Sequence, residues 1–241
     1  GTVVVYSVLF ITGLKAKYKL LGDFKYDKRT SKEIFTVSVP LVMQYIISVT
    51  TWLIFFLLIE SKGVMAKSIS NVMRNVFGMV GVFVWALAST SNAMVSNLMG
   101  QRREDKIIEA ITRITYWSAG LCAFTCLLLN LFPEMFFSLF GQDEIFVKES
   151  IPVVRIVSLG LMFMSIANIW LNGVTGTGKT KVNLLIEIIA ITLYLIYTWI
   201  FMKVNYISLA MAWSNEFIYW TSIFVMAFWY LKSGKWKTVK A

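Results

Sequence analysis

The stretch from Gly173 to Thr180 has the residue types and the spacing of a phosphate-binding loop. It reads GVTGTGKT, which satisfies the pattern G-x-x-x-x-G-K-[ST]. In such a loop the glycines let backbone amides close around phosphates, the lysine reaches the outer phosphates, and the last hydroxyl holds magnesium. By this pattern alone, residues 173–180 would form a nucleotide site in which Lys179 contacts the phosphates.

The sequence on both sides of this stretch favours a different structure. A phosphate-binding loop needs a strand before its glycines and an α/β sheet around it. Residues 150–172 and 182–202 are instead almost wholly apolar. At about 1.5 Å per helical residue, each is long enough to cross a hydrocarbon layer of ~30 Å. We therefore interpret residues 173–181 as a glycine-rich turn between two membrane helices, with Lys179 and Lys181 at the water boundary.

Two acidic side chains, Glu187 and Glu216, are predicted to lie within membrane spans. Glu216 lies near the middle of an apolar segment, and its side chain is too short to reach water from there without a cavity. A carboxyl group that is withdrawn from water favours its neutral form, so that it can bind and release a proton near neutral pH. Both residues are therefore candidates for carrying a coupling proton. The alternative for Glu187 is snorkelling to the surface, and for Glu216 a structural hydrogen bond or an ion pair with Arg74.

Other polar residues within the predicted spans are candidates for lining a solute cavity. They are Gln44, Asn71, Arg74, Asn168 and Asn172. Hydrogen bonding between helices is the competing explanation for the amides, and snorkelling to the membrane surface is the competing explanation for the arginine.

Neither a metal site nor a cofactor is predicted. The chain contains no histidine, which is the commonest metal ligand and general base. Its two cysteines, Cys122 and Cys126, are four residues apart in an apolar run and match no zinc-binding spacing. Geometry disfavours a disulfide along one helix face, so we interpret both as packing residues.

The elements that must position these residues are predicted to be membrane helices. The chain is 58% hydrophobic and 15% charged, whereas a soluble domain is typically about a quarter charged. Six apolar spans are predicted, at about 34–59, 68–99, 111–132, 150–172, 182–202 and 206–231. The sequence therefore predicts an all-α membrane protein. The second span has many small and polar residues, which predicts that it faces protein or a water-filled cavity.

Polar and basic segments flank and separate these spans. Residues 1–14 are predicted to be the end of a truncated membrane helix, 15–33 a basic cytoplasmic linker, 34–231 a six-helix bundle and 232–241 a basic cytoplasmic tail. Most of the 23 Lys and Arg residues lie in the linker, the turn near residues 100–113, the glycine-rich turn and the tail. The positive-inside rule assigns these segments to the cytoplasm and explains the net charge of +10 without a nucleic-acid partner. We therefore predict a multi-pass protein of the cell inner (plasma) membrane with a cytoplasmic C-terminus.

Four stretches have the order and spacing of motifs in a known transporter family. They are the Pro40-containing span that ends in ESKG at 60–63, the second span with NAMVSNLMGQRRED at 92–105, LFGQDEIF at 139–146, and GVTGTGKTK at 173–181. Together they cover about residues 34–203. In this respect the chain resembles the C-terminal half of a multidrug and toxic compound extrusion (MATE) transporter.

The resemblance implies a transporter of twelve helices in two six-helix bundles, of which this chain would be the C-terminal lobe. Residues 1–14 would be the end of the sixth helix, and residues 15–33 would link the two lobes. The implied function is secondary active antiport, which exports organic, often cationic, drug-like compounds in exchange for protons or sodium ions. Access would alternate as one bundle rocks against the other. The implied partners are the solute, the coupled ion, the lipid bilayer and the missing N-terminal lobe.

The chain departs from the family at two positions. Some members carry a carboxylate eight residues after the proline of the first span, where this chain has Ser48. The same members carry an Asp eight residues before the first glycine of the turn, where this chain has Ser165. Without these carboxylates, coupling would use a carboxylate in the other lobe or one placed differently in this lobe.

Two other functions stand as alternatives. A lipid-linked polysaccharide flippase belongs to the same superfamily and would need a larger, more cationic cavity. A membrane nucleotide-binding protein would use residues 173–180, although the sequence offers no convincing strand for the second magnesium motif.

Overall fold

The structure of the protein is a computed structural model that describes residues 7–8, 10, 26–138, 140, 143–203 and 207–237, with the backbone alone at 201–203. Most of the predicted helix end at 1–14 and most of the predicted linker at 15–33 therefore lie outside the described residues. The chain divides into two units, Gly1–Thr36 and Val37–Ala241. In the first unit a helix begins at Lys28, where the Asp27 carboxylate accepts a hydrogen bond from the backbone N–H of Arg29 at 2.9 Å.

The regular secondary structure of the described residues is helical, with one short 3-10 turn at Glu104–Lys106, and none of these residues forms a strand. The helices are α1 (Lys28–Glu60), α2 (Val64–Gly100), α3 (Ile107–Leu131), α4 (Pro133–Ser138), α5 (Glu144–Gly176), α6 (Thr180–Lys203), α7 (Leu209–Ala212) and α8 (Asn215–Lys232). Within the described part of the chain, 5 helical segments are long and apolar enough to cross a membrane. They correspond to the first five predicted spans, which confirms an all-α membrane protein.

Local sequence explains where the long helices begin and end. Gly63 separates α1 from α2 with a φ of 110°, a backbone conformation that glycine adopts without steric cost. Asp143 caps the start of α5 by accepting a hydrogen bond from the backbone N–H of Phe146 at 2.8 Å. Pro40 and Pro152 lie inside α1 and α5. Membrane helices tolerate such prolines because neighbouring groups satisfy the freed carbonyl.

The sixth predicted span, 206–231, is not one continuous helix. It consists of α7 and α8, which are separated by a turn at Trp213 and Ser214. The fully buried Trp213 ring stacks on Phe77 with centroids 5.7 Å apart. The buried Asn215 side chain donates to Thr198 Oγ1 on α6 at 3.1 Å. These contacts of α7 and α8 with other helices fix the turn, which hydropathy does not reveal, and they place Glu216 in the first turn of α8.

Helix α5 is the centre of the bundle, since it packs against α2, α3 and α8. Small side chains let these helices approach closely. Ser91 Oγ on α2 donates to the Ile169 carbonyl at 3.0 Å, and Ser118 Oγ on α3 donates to the Ser165 carbonyl at 2.9 Å. Contacts of this kind hold membrane helices together, because lipid provides no hydrophobic driving force between them.

The glycine-rich turn joins two helices. Helix α5 ends at Gly176 and α6 begins at Thr180, so a helix occupies the place where a phosphate-binding loop needs a strand. Gly178 has a φ of 77°, which makes the reversal possible. The side chain of Lys179 is exposed. The nucleotide-site hypothesis is therefore not supported by the local fold.

Helix packing explains the other two glycines of this stretch. A Cβ atom added at Gly173 would lie 2.6 Å from Ile111 Cδ1, and one added at Gly176 would lie 2.7 Å from the backbone oxygen of Asn92. Both distances are too short for a side chain. The pattern that suggests phosphate binding thus reflects the close approach of α5 to α3 and α2.

Candidate functional site

Helix α6 carries a buried carboxylate, that of Glu187, in a row of buried side chains. The row also contains Asn183, Ile191, Tyr194 and Thr198. Because these positions recur every three or four residues, they share one face of the helix. The Glu187 residue is only 1% exposed, so it does not snorkel to the membrane surface.

Three side chains from two other helices donate hydrogen bonds to the Glu187 carboxylate. Ser48 Oγ on α1 donates to Oε1. Tyr219 Oη on α8 donates to the same oxygen at 2.5 Å, and lies 3.3 Å from Ser48 Oγ. Gln44 Nε2 on α1 donates to Oε2 at 3.3 Å. The carboxylate is thus held where α1, α6 and α8 meet, by a group that we call the Glu187 cluster (Gln44, Ser48, Asn183, Glu187 and Tyr219).

Asn183 completes the Glu187 cluster by holding the Gln44 side chain. Asn183 Nδ2 donates to Gln44 Oε1 at 2.7 Å. The carbonyl of Gln44 therefore faces Asn183, and its NH2 group faces Glu187. Asn183 thus donates to Gln44, and Gln44 in turn donates to the Glu187 carboxylate.

In the described part of the chain, neutral hydrogen-bond donors rather than a cation stabilise the charge of Glu187. The salt bridges found there are Arg29–Glu33, Lys67–Glu60, Lys106–Glu109 and Arg113–Glu109, which are all partly exposed. A buried carboxylate that is held by hydroxyl and amide groups can change its protonation state without leaving an unpaired cation behind.

The second candidate carboxylate, Glu216, is also buried, at 4% exposure. Its Oε2 accepts a hydrogen bond from Trp220 Nε1 at 2.9 Å, one turn further along α8. Gly160 of α5 passes so close that an added Cβ would lie 3.2 Å from the Cβ of Glu216. Within the described residues, Arg74 makes no salt bridge to Glu216.

A cavity of about 390 Å³ lies between α1, α2, α5, α6 and α8. Its lining is mainly aromatic and aliphatic: Tyr45, Ser48, Val49, Thr51, Trp52, Arg74, Phe77, Gly78, Trp85, Met164, Ile191, Tyr194, Glu216, Tyr219 and Trp220. Arg74 and Glu216 are the charged residues of this lining. Ser48 and Tyr219 belong both to the lining and to the Glu187 cluster, so that they stand between Glu187 and the cavity.

The structure brings some of the sequence candidates together and keeps others apart. Gln44 contacts Glu187, and Arg74 lines the cavity with its Cζ 5.7 Å from the centre of the Phe56 ring. Asn172 Nδ2 donates to Asn168 Oδ1 at 2.9 Å within α5, and neither residue lines the cavity. Asn71 lies half-buried on α2 and is also absent from the lining.

Two members of the Glu187 cluster, Tyr219 and Asn183, were not identified as site residues from the sequence. Tyr219 is one of ten tyrosines in a chain rich in aromatic residues, and its type gives no signal. Its position three residues after Glu216, on the same helix face, is the signal that could have found it. Asn183 lies four residues before Glu187 and could have been found in the same way.

Comparisons with known proteins give a consistent result. The chain matches the MatE family over residues 40–200, which is more than half of its length. The chain belongs to the MATE family. No curated protein matches it. A solved structure described as the outward-facing conformation of a multidrug resistance MATE family transporter of the MOP superfamily is similar, with a TM-score of 0.75 at 14% sequence identity. The similarity covers 87% of this chain and 47% of that transporter, so the chain spans about half of its length.

The MATE family is a family of membrane transporters, and this chain belongs to it. It is a multi-pass membrane protein whose long apolar helices fit this assignment. In this MATE chain, Ser48 stands where some members are expected to have a carboxylate. The Ser48 hydroxyl contacts the carboxylate of Glu187, which comes from another helix. An acidic group is therefore present beside this position, although the residue at the position is not acidic.

Proposed function

We propose that this MATE chain is one lobe of a secondary active antiporter that exports organic, often cationic, drug-like compounds in exchange for protons or sodium ions. The observation that carries the proposal is the buried Glu187 carboxylate, held by neutral donors behind the wall of an aromatic cavity. A carboxyl group in such surroundings can take up and release a proton, and its two cavity-lining partners connect it to the place where a solute would lie.

The donors around Glu187 favour a proton over a sodium ion. A hard cation needs several oxygen lone pairs around it. Gln44 instead presents its NH2 group to the carboxylate, and its carbonyl oxygen is engaged by Asn183. Ser48 and Ser165 stand where the family resemblance places two acidic residues in some members. The Ser165 hydroxyl donates to the Met162 carbonyl of its own helix.

The chemistry of the cavity favours an organic cation as the solute. Pockets for drug-sized ligands enclose about 300–1,000 Å³ and are mainly apolar, with a few polar groups. The volume of about 390 Å³ lies in this range. Aromatic rings attract organic cations through their π faces, and the Glu216 carboxylate adds a negative charge. A polysaccharide flippase would need a larger and more cationic cavity, whereas Arg74 is the one cation among the described lining residues.

The proposed transporter needs a second lobe. Alternating access requires two bundles that rock around a site between them. We place the C-terminus of this lobe in the cytoplasm of the cell that carries the protein in its inner (plasma) membrane, because its basic segments satisfy the positive-inside rule in that orientation.

Transport by the complete two-lobe protein in liposomes tests the proposal. An imposed pH gradient should drive solute movement in the wild type. Glu187→Gln keeps the size of the side chain but removes its titration, so it should abolish the pH-driven movement. Glu109→Gln, at an exposed carboxylate on α3, is the matched control and should transport like the wild type. A Glu187→Gln protein with wild-type pH-driven transport would refute the coupling role.

The role of Glu216 is tested with the same two-lobe protein by measuring the binding of a cationic and a neutral solute. If its charge contacts the cationic solute, Glu216→Gln should weaken the binding of a cationic solute much more than that of a neutral solute of similar shape. Equal losses for both solutes would show that Glu216 maintains the cavity instead of contacting the cation.

A further inference from the structure

The hydrogen bonds from Asn183 to Gln44 and from Gln44 to Glu187 influence which oxygen of the Glu187 carboxylate receives the proton. Gln44 Oε1 accepts from Asn183 Nδ2 at 2.7 Å, so the NH2 group of Gln44 faces Glu187 Oε2. An amide NH2 group donates and does not accept hydrogen bonds. A proton on Oε2 would face this donor, whereas a proton on Oε1 faces two hydroxyl oxygens that can accept it. The groups around Glu187 therefore favour Oε1 as the oxygen that carries the proton in the neutral form.

The two hydroxyls at Oε1 must reorient when this proton arrives. While Glu187 is ionised, Ser48 and Tyr219 both donate to Oε1. Once Oε1 carries a proton, it donates to one of these oxygens, and that hydroxyl must direct its own hydrogen elsewhere. The two oxygens are 3.3 Å apart and both residues line the cavity. The available directions are therefore the other hydroxyl and the cavity.

Of the two hydroxyls, both of which contact Oε1, that of Tyr219 is the more acidic, since it is a phenol and the Ser48 hydroxyl is an alcohol. The Tyr219 hydroxyl is therefore better suited to carry protons between the cavity and Glu187. It contacts Oε1 at 2.5 Å, and its ring lies in the aromatic wall, with ring centroids 4.7 Å from Trp220 and 5.9 Å from Tyr194. Glu216 lies one turn earlier on the same helix and lines the same cavity.

The other groups near Glu187 do not offer a competing route. The titratable, amide and hydroxyl side chains that contact it or line the cavity are Gln44, Tyr45, Ser48 and Thr51 on α1, Arg74 on α2, Asn183 and Tyr194 on α6, and Glu216 and Tyr219 on α8. Of these, Tyr219 is the titratable group in hydrogen-bond contact with Glu187 in the described part of the chain.

We propose that Tyr219 is the relay through which Glu187 exchanges its proton with the cavity, which rests on the proposed coupling role of Glu187. A hydronium ion in the cavity gives one proton to Tyr219 Oη, and Tyr219 gives its own hydroxyl proton to Glu187 Oε1. One O–H bond forms at each acceptor and one breaks at each donor, which leaves water, a neutral tyrosine and a neutral carboxylic acid. The reverse sequence releases the proton.

The position of Tyr219 gives the relay a second consequence. A solute that packs against the Tyr219–Trp220 wall displaces the water that delivers the proton, because both rings belong to the cavity lining. Solute binding and proton exchange then exclude each other at this site, which is the behaviour that antiport requires.

Conservative substitutions in the complete two-lobe transporter test the relay. Tyr219→Phe removes the hydroxyl and keeps the ring. It should slow pH-driven transport by roughly 100-fold, the low end of what a positioned proton donor contributes. It should slow solute–solute counterflow, which moves no proton, far less than it slows pH-driven transport. Ser48→Ala should cause a smaller loss of pH-driven transport. Tyr116→Phe, at an exposed ring on α3, is the matched control and should change neither rate.

The outcomes separate the relay from the coupling role. If Glu187→Gln abolishes pH-driven transport and Tyr219→Phe leaves it at the Tyr116→Phe rate, the relay is refuted and the coupling role stands. If Tyr219→Phe lowers transport and counterflow equally, Tyr219 is a structural residue and the relay is again refuted. If Glu187→Gln transports normally, the coupling role fails and the relay fails with it.

Discussion

The hydroxyl of Ser48 on α1 donates a hydrogen bond to the carboxylate of Glu187 on α6. Ser48 occupies a place at which the family resemblance leads one to expect an acidic side chain in some members. The acidic group at this place is therefore supplied by a helix that lies far along the sequence. We therefore predict that the location of a charge in the bundle matters more than the helix that carries it.

Exchange of the two side chains should preserve function. Ser48→Glu combined with Glu187→Ser places the carboxylate on α1 and the hydroxyl on α6, at the same contact. We expect pH-driven transport within about tenfold of the wild type, a difference of roughly 1.4 kcal/mol in barrier. Ser48→Glu alone should lower the unfolding temperature, because two carboxylates would then be buried side by side. A double variant as inactive as Glu187→Gln would show that the helix of origin is essential.

The packing role of the glycine-rich turn predicts a stability effect at Gly176. Gly176→Ala places a methyl group 2.7 Å from the Asn92 carbonyl of α2, which must shift. We expect a loss of about 1–3 kcal/mol in the free energy of unfolding, typical of overpacking. Gly120→Ala on α3 is the control, since no atom lies within 4 Å of its added Cβ. Unfolding in detergent solution measures both, and equal stability of the two variants would contradict the close contact.

Lys179 should not bind phosphate, because it is exposed at a turn between two helices. Lys179→Ala should leave transport by the complete protein mostly intact. The purified wild type should show no saturable binding of ATP in the presence of magnesium, measured by equilibrium dialysis. A magnesium-dependent ATP site that is lost on this substitution would restore the nucleotide-binding interpretation.

The proposed orientation predicts which single cysteines react from outside the cell. In a background without Cys122 and Cys126, Lys179→Cys and Lys235→Cys should resist membrane-impermeant thiol reagents in whole cells. Lys62→Cys, in the turn between α1 and α2, should react. All three single-cysteine variants should react equally after the membrane is permeabilised. Labelling of Lys179→Cys in intact cells would reverse the assigned topology.

Hydropathy and segment length determined the all-α membrane fold, because both are local properties of the chain. Residues 150–172 and 182–202 are apolar enough to indicate two spans, and the structure has α5 and α6 there. The same reasoning identified the turn between them, and it selected Glu187 as a costly charge within the membrane. The family was also predicted from the order of short motifs, and the match over residues 40–200 confirms it.

The tertiary structure alone decided which of these residues meet. Gln44 and Glu187 are 143 positions apart, and hydropathy does not indicate which sides of α1 and α6 face each other. That choice depends on helix packing, in which small residues such as Gly173 and Gly176 set the distances between helices. For the same reason the sequence does not predict the turn at Trp213, which buried contacts with distant residues hold in place. Nor does it predict the contact on which the proposed role of the Tyr219 hydroxyl depends, because the carboxylate neighbour lies on α6.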